Sequence, residues 1–158
     1  MNILIEIDYR ERGGGILEIL RKSNIMIEEK KLFIGDYLIN RHIAVERKTT
    51  RDFVISIIDG RLFSQASRLK RYAEVQLMII EGTDLFYTGY EIDPQAIKGA
   101  IVSLSISWQI PLVFSKSPDG TAEILVMAGI QDVNAAMKYY RGQADDPDAY
   151  RQESYSCF

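Results

Sequence analysis

Asp36, Glu46 and Lys48 are the residues whose types and spacing point to chemistry. Asp36 opens a strand signal at Tyr37, Leu38 and Ile39, and Glu46 follows a second at Ile43, Ala44 and Val45. A hairpin at Asn40-Arg41-His42 would bring the two carboxylates together. The result is a hard, oxygen-rich pocket. Such donors, with room left for water and phosphate, suit Mg²⁺ or Mn²⁺, whereas zinc would recruit histidine or cysteine, of which the chain has one each. Lys48 lies two residues beyond Glu46. Side chains at i and i+2 of an extended strand share a face, so its ammonium should project beside the cation, where it can hold an attacking water or a pentavalent oxyanion. The donor set is that of a metal-assisted phosphodiester-cutting site.

The surrounding segments must position these groups. Ile3 to Asp8 is a nearly continuous apolar, β-branched run, the pattern of a buried central strand that ends in a carboxylate. Asp8 is either a strand-end turn former or a metal ligand, and Arg10 and Glu11 are either a local ion pair or phosphate-facing groups. Gly13-Gly14-Gly15 fits neither dinucleotide nor Walker spacing and reads as a flexible turn before a short helix carrying Ile16, Leu17, Ile19 and Leu20. A second strand is expected from Ile25 past the charged residues 28–31 to Ile34, and Gly35 follows where a side chain would crowd the turn. Thr49 or Thr50 can cap a helix that runs through Ile58 and holds Asp52 in its first turn, where the helix dipole favours its charge with or without catalysis. On the next helix, Arg61 to Tyr72, residues Arg61, Gln65 and Arg68 fall at i, i+4 and i+7, so they can grip a phosphate backbone or simply face solvent.

The second half continues the alternation. Val75 to Ile80 predicts another buried strand, closed by Glu81-Gly82. The loop from Asp84 to Asp93 carries Phe86, Tyr87 and Tyr90, which either lid the core or stack on unpaired bases. Asp93-Pro94 starts a helix with Ile97, Ile101, Leu104 and Trp108 along one side and Ala100, Val102 and Ile106 off it, a pattern of central burial or of a subunit contact. Pro111 to Phe114 predicts a strand, Ser117-Pro118-Asp119-Gly120 a turn, and Thr121 to about Tyr140 a long helix with Ile124, Leu125, Ala128 and Val133 inside. The organisation is one domain over residues 1–141 and a polar, flexible tail over 142–158.

Composition narrows the function classes. With 158 residues and 47% apolar content the chain can build one good core. No window is apolar enough for a membrane span, and Met1-Asn2-Ile3-Leu4 runs into strand without a secretory pattern. The single Cys157 excludes an internal disulfide and fits a reducing compartment. The expected location is intracellular: cytoplasm or nucleoid in a prokaryote, nucleus in a eukaryote. A net charge of −3 argues against a generic nucleic-acid binder, yet residues 41–71 hold eight basic and three acidic side chains. The positive charge therefore coincides with the proposed site, drawing phosphates to one face, unless it belongs to a solvated helix surface.

Gly35-Asp36 followed by Glu46-Arg47-Lys48-x-x-x-Asp52 resembles the GDx(n)ERKxxxD signature of the XPF-type structure-specific endonucleases. Ile7-Asp8-Tyr9-Arg10-Glu11 is similar to that family's first-strand VDxRE element, Ser56 to Gln65 to its S(I/L)xxGRLxxQ segment, and Thr121-Ala122-Glu123 to its last-helix TAE. The likeness spans roughly residues 3 to 137. It implies an α/β fold with a restriction-endonuclease-like core, a mixed central β-sheet flanked by helices on both sides. It implies Asp8, Asp36 and Glu46 as metal ligands for one or two Mg²⁺ or Mn²⁺ ions, Lys48 at the nucleophile, Arg47 at phosphate or carboxylates, and Asp52, Arg10 and Gln65 in support. It further implies branched DNA as substrate (flap, fork or splayed junction), repair or recombination as context, and pairing into a homodimer or heterodimer. The family's usual tandem helix-hairpin-helix module has no match in this sequence. Gln152-x-x-Tyr155-x-x-Phe158 faintly resembles a sliding-clamp peptide, or is a frayed end. A catalytically silent DNA-binding scaffold is the rival reading, although silent members lose the acidic and ERK positions that are intact here.

Overall fold

A computed structural model describes residues 2–145. Six strands form one sheet: β1 (Leu4–Asp8), β2 (Met26–Lys30), β3 (Tyr37–Ile39), β4 (Ile43–Thr49), β5 (Val75–Glu81) and β6 (Leu112–Ser115). Their order is β2-β1-β3-β4-β5-β6. β3 runs antiparallel to both β1 and β4, while the β1/β2, β4/β5 and β5/β6 pairs are parallel. The sheet is mixed, as expected.

Period-2 alternation divides the side chains between two cores. Ile5 and Ile7 of β1, Tyr37 and Ile39 of β3, Ile43 and Val45 of β4, and Ile79 of β5 pack on one face with α1 (Ile16–Leu20) and α5 (Pro118–Asp145). Ala44, Met78 and Ile80 face the other way, onto α2 (Thr50–Ile58), α3 (Leu62–Tyr72) and α4 (Pro94–Ile106). Glu46 and Lys48 continue the Ala44 side of β4, and Arg47 continues the Val45 side.

Four expectations are revised. β2 stops at Lys30 rather than running to Ile34, because the Leu32 N–H donates to the side chain of Asp8 at 2.8 Å and is lost to any ladder. The Ser117–Gly120 segment is the first turn of α5, not a free turn: Pro118 suits a helix start and the Ser117 hydroxyl accepts from the Gly120 N–H. α4 buries Ile97, Ala100 and Leu104, so Ala100 belongs to the inner stripe, while Val102 and Ile106 are 60% and 72% exposed. α5 continues to Asp145, into the segment read as tail. The rest of that tail, with the clamp-like Gln152, Tyr155 and Phe158, lies outside the described residues.

Gly35 fixes the entry to β3. Its φ is +73°, and a Cβ there would sit 2.8 Å from the Val45 carbonyl oxygen, which accepts from the Asp36 N–H at 2.8 Å. Any side chain would push β3 off β4. Gly35→Ala is therefore expected to cost roughly 2 kcal/mol or more in a denaturant titration, with no change in far-UV helix signal at low denaturant.

Candidate active site

Asp36 sits where the incoming loop meets the sheet. Its N–H donates to Val45, its carbonyl accepts from Asp8 N–H at 2.9 Å, and its Oδ2 accepts from Arg47 N–H at 2.9 Å. The backbone of two strands, β1 and β4, thus holds Asp36 in place. Glu46 reaches the same place from β4, and both line a cavity of 140 Å³ with Arg10, Gln65 and Arg68. Lys48 Nζ lies 3.7 Å from Glu46 Oε1, as the i, i+2 spacing requires, and Lys48 is buried. α3 contributes Gln65 and Arg68, one turn apart, to the lining of the cavity.

The electrostatics of this cavity favour a cation. Burial, and then the neighbouring charge of Glu46, push the Asp36 carboxyl up to about 7. Burial likewise raises Glu46, against the pull of Lys48 and Arg10. Two partly buried carboxylates that resist ionising together form a donor set fitting Mg²⁺ or Mn²⁺, whose charge would remove the repulsion. Among the described residues no group of three or more His, Cys, Asp or Glu side chains is gathered closely enough to hold a metal. The protein donors in reach are this pair.

Asp8, expected as a third ligand, has both oxygens engaged. Oδ1 accepts from Arg10 N–H at 3.0 Å and Arg10 Nε at 2.6 Å, and Oδ2 accepts from Leu32 N–H. Although its burial works the other way, these bonds hold its carboxyl down at about 2. In the structure Asp8 caps the short 3₁₀ helix Tyr9–Gly14 and aims Arg10 at the cavity.

Arg47 departs furthest from expectation. Its side chain crosses to the opposite face of the sheet, where Nε and Nη2 meet Glu81 at 3.0 and 2.7 Å and Nη1 meets Glu11 at 3.3 Å. Tyr37 donates to the same Glu11 at 2.7 Å, and Thr121 Oγ1 donates to Glu81 at 2.5 Å. Only the main chain of Arg47 serves the site, because alternation along β4 sends its neighbours Glu46 and Lys48 to one face and itself to the other. Asp52 is also elsewhere: exposed, it shares a cap with Thr49, whose hydroxyl accepts from Asp52 N–H and donates to Asp52 Oδ2. Arg61 is exposed and pairs with Asp59 at 3.0 Å, so of the helical trio Gln65 and Arg68 line the cavity and Arg61 does not.

Sequence reasoning missed the Glu11–Tyr37–Arg47–Glu81–Thr121 network. A signal existed in Glu81, a carboxylate that ends the apolar run Leu77–Ile80 and is almost fully buried. Of the loop aromatics, Tyr90 lies against α2, where its hydroxyl accepts from Arg51, and Tyr87 is exposed.

The comparisons agree with this geometry. The ERCC4 domain model matches residues 7–128. The chain belongs to the ERCC4-domain family of XPF-type nucleases. It is similar to the 3'-flap repair endonuclease Xpf of Saccharolobus solfataricus, with 34% identity over 79% of this chain and 54% of that protein. It is 40% identical to a putative ATP-dependent RNA helicase of Methanocaldococcus jannaschii over 78% of this chain and 15% of that one. The chain therefore spans about half or less of these relatives' lengths. Among solved structures, XPF from Aeropyrum pernix in complex with DNA superposes with a TM-score of 0.77 at 32% identity, over 84% of this chain and 66% of that one. The XPF-type nuclease domain thus has the α/β, restriction-endonuclease-like core expected from the sequence.

Two outcomes follow. Asp36 binds its proton more tightly folded than unfolded, so its contribution to stability is full below the ordinary value of 3.8 and is lost as pH rises through about 7. Without metal, Asp36→Asn should be more stable than wild type by about 1 kcal/mol or more at pH 8, an advantage that shrinks toward pH 4 in denaturant titrations. Arg47→Met leaves Glu81 and Glu11 facing each other without their cation and should cost about 3 kcal/mol, part of which Glu81→Gln restores in the double variant.

Proposed function

We propose that this chain is the nuclease unit of a Mg²⁺- or Mn²⁺-dependent, structure-specific endonuclease that hydrolyses phosphodiesters in branched DNA during repair or recombination. The observation that carries this reading is the cavity itself, two charge-resisting carboxylates at its base and Arg10 and Arg68 at its rim. The relatives' names, a 3'-flap repair endonuclease and an XPF in complex with DNA, support DNA as the polymer.

Asp36 and Glu46 would hold the divalent ion, with water and phosphate oxygens completing its shell. When bound, such an ion offsets charge on the scissile phosphate and acidifies water. The chain's own groups do the rest. Arg47 N–H fixes one Asp36 oxygen and leaves the other free to turn inward. Arg10, oriented by Asp8, and Arg68 grip phosphate oxygens and line them up for attack. The buried Oε1 of Gln65 has no hydrogen-bond partner and can accept a hydrogen bond from the attacking water, orienting it. Lys48, held beside Glu46, donates to the nucleophile or to the oxygen on which charge develops.

Assembly and location are part of the reading. Val102 and Ile106, one turn apart on α4, expose an apolar strip suited to a second subunit, so the working form is a dimer, either with a second copy or with a related chain. Among the described residues no helix is long and apolar enough to cross a membrane. An intracellular, DNA-associated location accords with the substrate.

The test is cleavage of end-labelled flap, splayed and linear duplexes in Mg²⁺. The wild type should cut at the branch, EDTA should stop it, and Asp36→Ala, Glu46→Ala and Lys48→Ala should each slow it by about a hundredfold or more. Cutting that persists in both carboxylate variants would falsify the assignment, and DNA binding without any cutting would make the chain a scaffold.

A further inference from the structure

Phe33 and Ile34 line the catalytic cavity on one side and, on the other, a second cavity of 340 Å³. That volume falls within the range of about 300–1,000 Å³ common for small-ligand sites. Its floor is apolar, from Leu38 and Ala44 of the sheet. One wall is an aromatic pair, Phe33 against Tyr72 at the end of α3, with ring centroids 4.9 Å apart and planes at 90°. These rings are not core residues: Phe33 is 74% exposed and Tyr72 49%. The lining also holds Arg41 and His42 from the β3–β4 hairpin; His42 Nδ1 meets Asp132 at 2.7 Å, Arg41 is exposed with Nε 3.9 Å from Glu6, and Arg71 lies 6.0 Å from the Tyr72 ring. Glu74 is the one carboxylate in the lining.

Open aromatic surface, flanking cations and an apolar floor are the parts of a site for a nucleobase and its phosphate. A base inside a duplex is stacked on both faces and cannot present itself to Phe33. An unpaired one can. We propose that this second cavity is a subsite for an unpaired nucleotide adjacent to the scissile phosphate, its base stacked on Phe33, whose ring Tyr72 braces edge-on, and its phosphate held by Arg41. The inference rests on the DNA-cleaving reading and adds to it the feature that selects a branch over plain duplex. Continuity with the catalytic cavity favours a nucleotide over a protein segment, because a strand leaving Arg10 and Arg68 meets Phe33 next. The exposed loop tyrosines Tyr87 and Tyr90 lack this continuity, as neither lines the catalytic cavity.

The experiment compares a splayed duplex bearing an oligothymidine arm with a blunt duplex of the same stem, by fluorescence anisotropy in Ca²⁺ to suppress turnover. Phe33→Ala and Tyr72→Ala should each weaken the splayed duplex about tenfold more than the blunt one, the value of one lost base stack. Phe33→Trp should retain affinity, and its emission should be quenched by the splayed but not by the blunt duplex. Equal weakening of both DNAs, weakening of neither, or loss of affinity in Phe33→Trp overturns the subsite and leaves the groove to a protein segment. Cleavage of the splayed duplex in Mg²⁺ by wild type and Lys48→Ala is read alongside. A wild type that cuts while Phe33→Ala shows no selective loss removes the subsite alone, whereas no Lys48-dependent cutting removes the nuclease reading beneath it.

Discussion

Two carboxylates forced onto one side of a sheet repel each other, and much of this fold is what keeps them there. Asp36 is raised by burial and by Glu46, Glu46 by burial, so the pair costs free energy in the absence of a cation. Every nearby backbone feature opposes their separation. Gly35 lets Val45 approach, Asp8 N–H and Arg47 N–H bind Asp36 from either flank, and β4 carries Glu46 in register opposite Met78 of β5. Positive groups relieve the strain without cancelling it: Lys48 beside Glu46, and Arg10 above, itself anchored to Asp8.

The opposite face supplies the rigidity this requires. Arg47 emerges between Glu46 and Lys48 and makes a fork of hydrogen bonds to Glu81 on β5, while touching Glu11 from the first turn after β1. Thr121 ties Glu81 to α5, and Tyr37 ties Glu11 to β3. One guanidinium therefore links four elements behind the strand that carries the site. The ionic groups in this network all have partners, which distinguishes it from a buried charge left over by accident. A shift in β4 would break it, so the geometry of Glu46 and Lys48 is guarded from behind.

Much of this was legible because it follows from short-range periodicity. The strand signals around Asp36 and Glu46, the i, i+2 relation of Lys48, the Thr49 cap, the crowding at Gly35 and the Gln65–Arg68 stripe all depend on residues within a few positions of one another. What could not be read depends on partners far apart in sequence. Asp8 had two readings, and the Leu32 N–H that engages its second oxygen is brought by the β2–β3 loop, 24 residues away. Arg47 belonged to a signature suggesting one common site, yet alternation alone would have sent it to the other face, and the partner that fixes it there lies 34 residues away. Phe33 stood in an apolar run that read as strand, and its exposure became visible only once Asp8 had drawn Leu32 out of the ladder.

The charge of the basic stretch at 41–71 resolves in the same way into local jobs. Arg61 is matched by Asp59 and Arg51 by the Tyr90 hydroxyl, so neither is aimed at the cavity. Arg47 is withdrawn behind the sheet and Lys48 is held by Glu46. Lys70 donates to Gln76, which leaves Arg68 at the rim, with Arg71 and the exposed Arg41, whose Nε lies 3.9 Å from Glu6, around the aromatic pair, along one path that starts at Asp36 and ends at the β3–β4 hairpin. In the proposed function that path matters more than net charge, because an acidic chain can still hold a strand where a few cations follow its phosphates and flat rings meet its bases. Selection of substrate would then lie in the shape of the exit from the cavity, while the chemistry lies in the repelling pair at its floor.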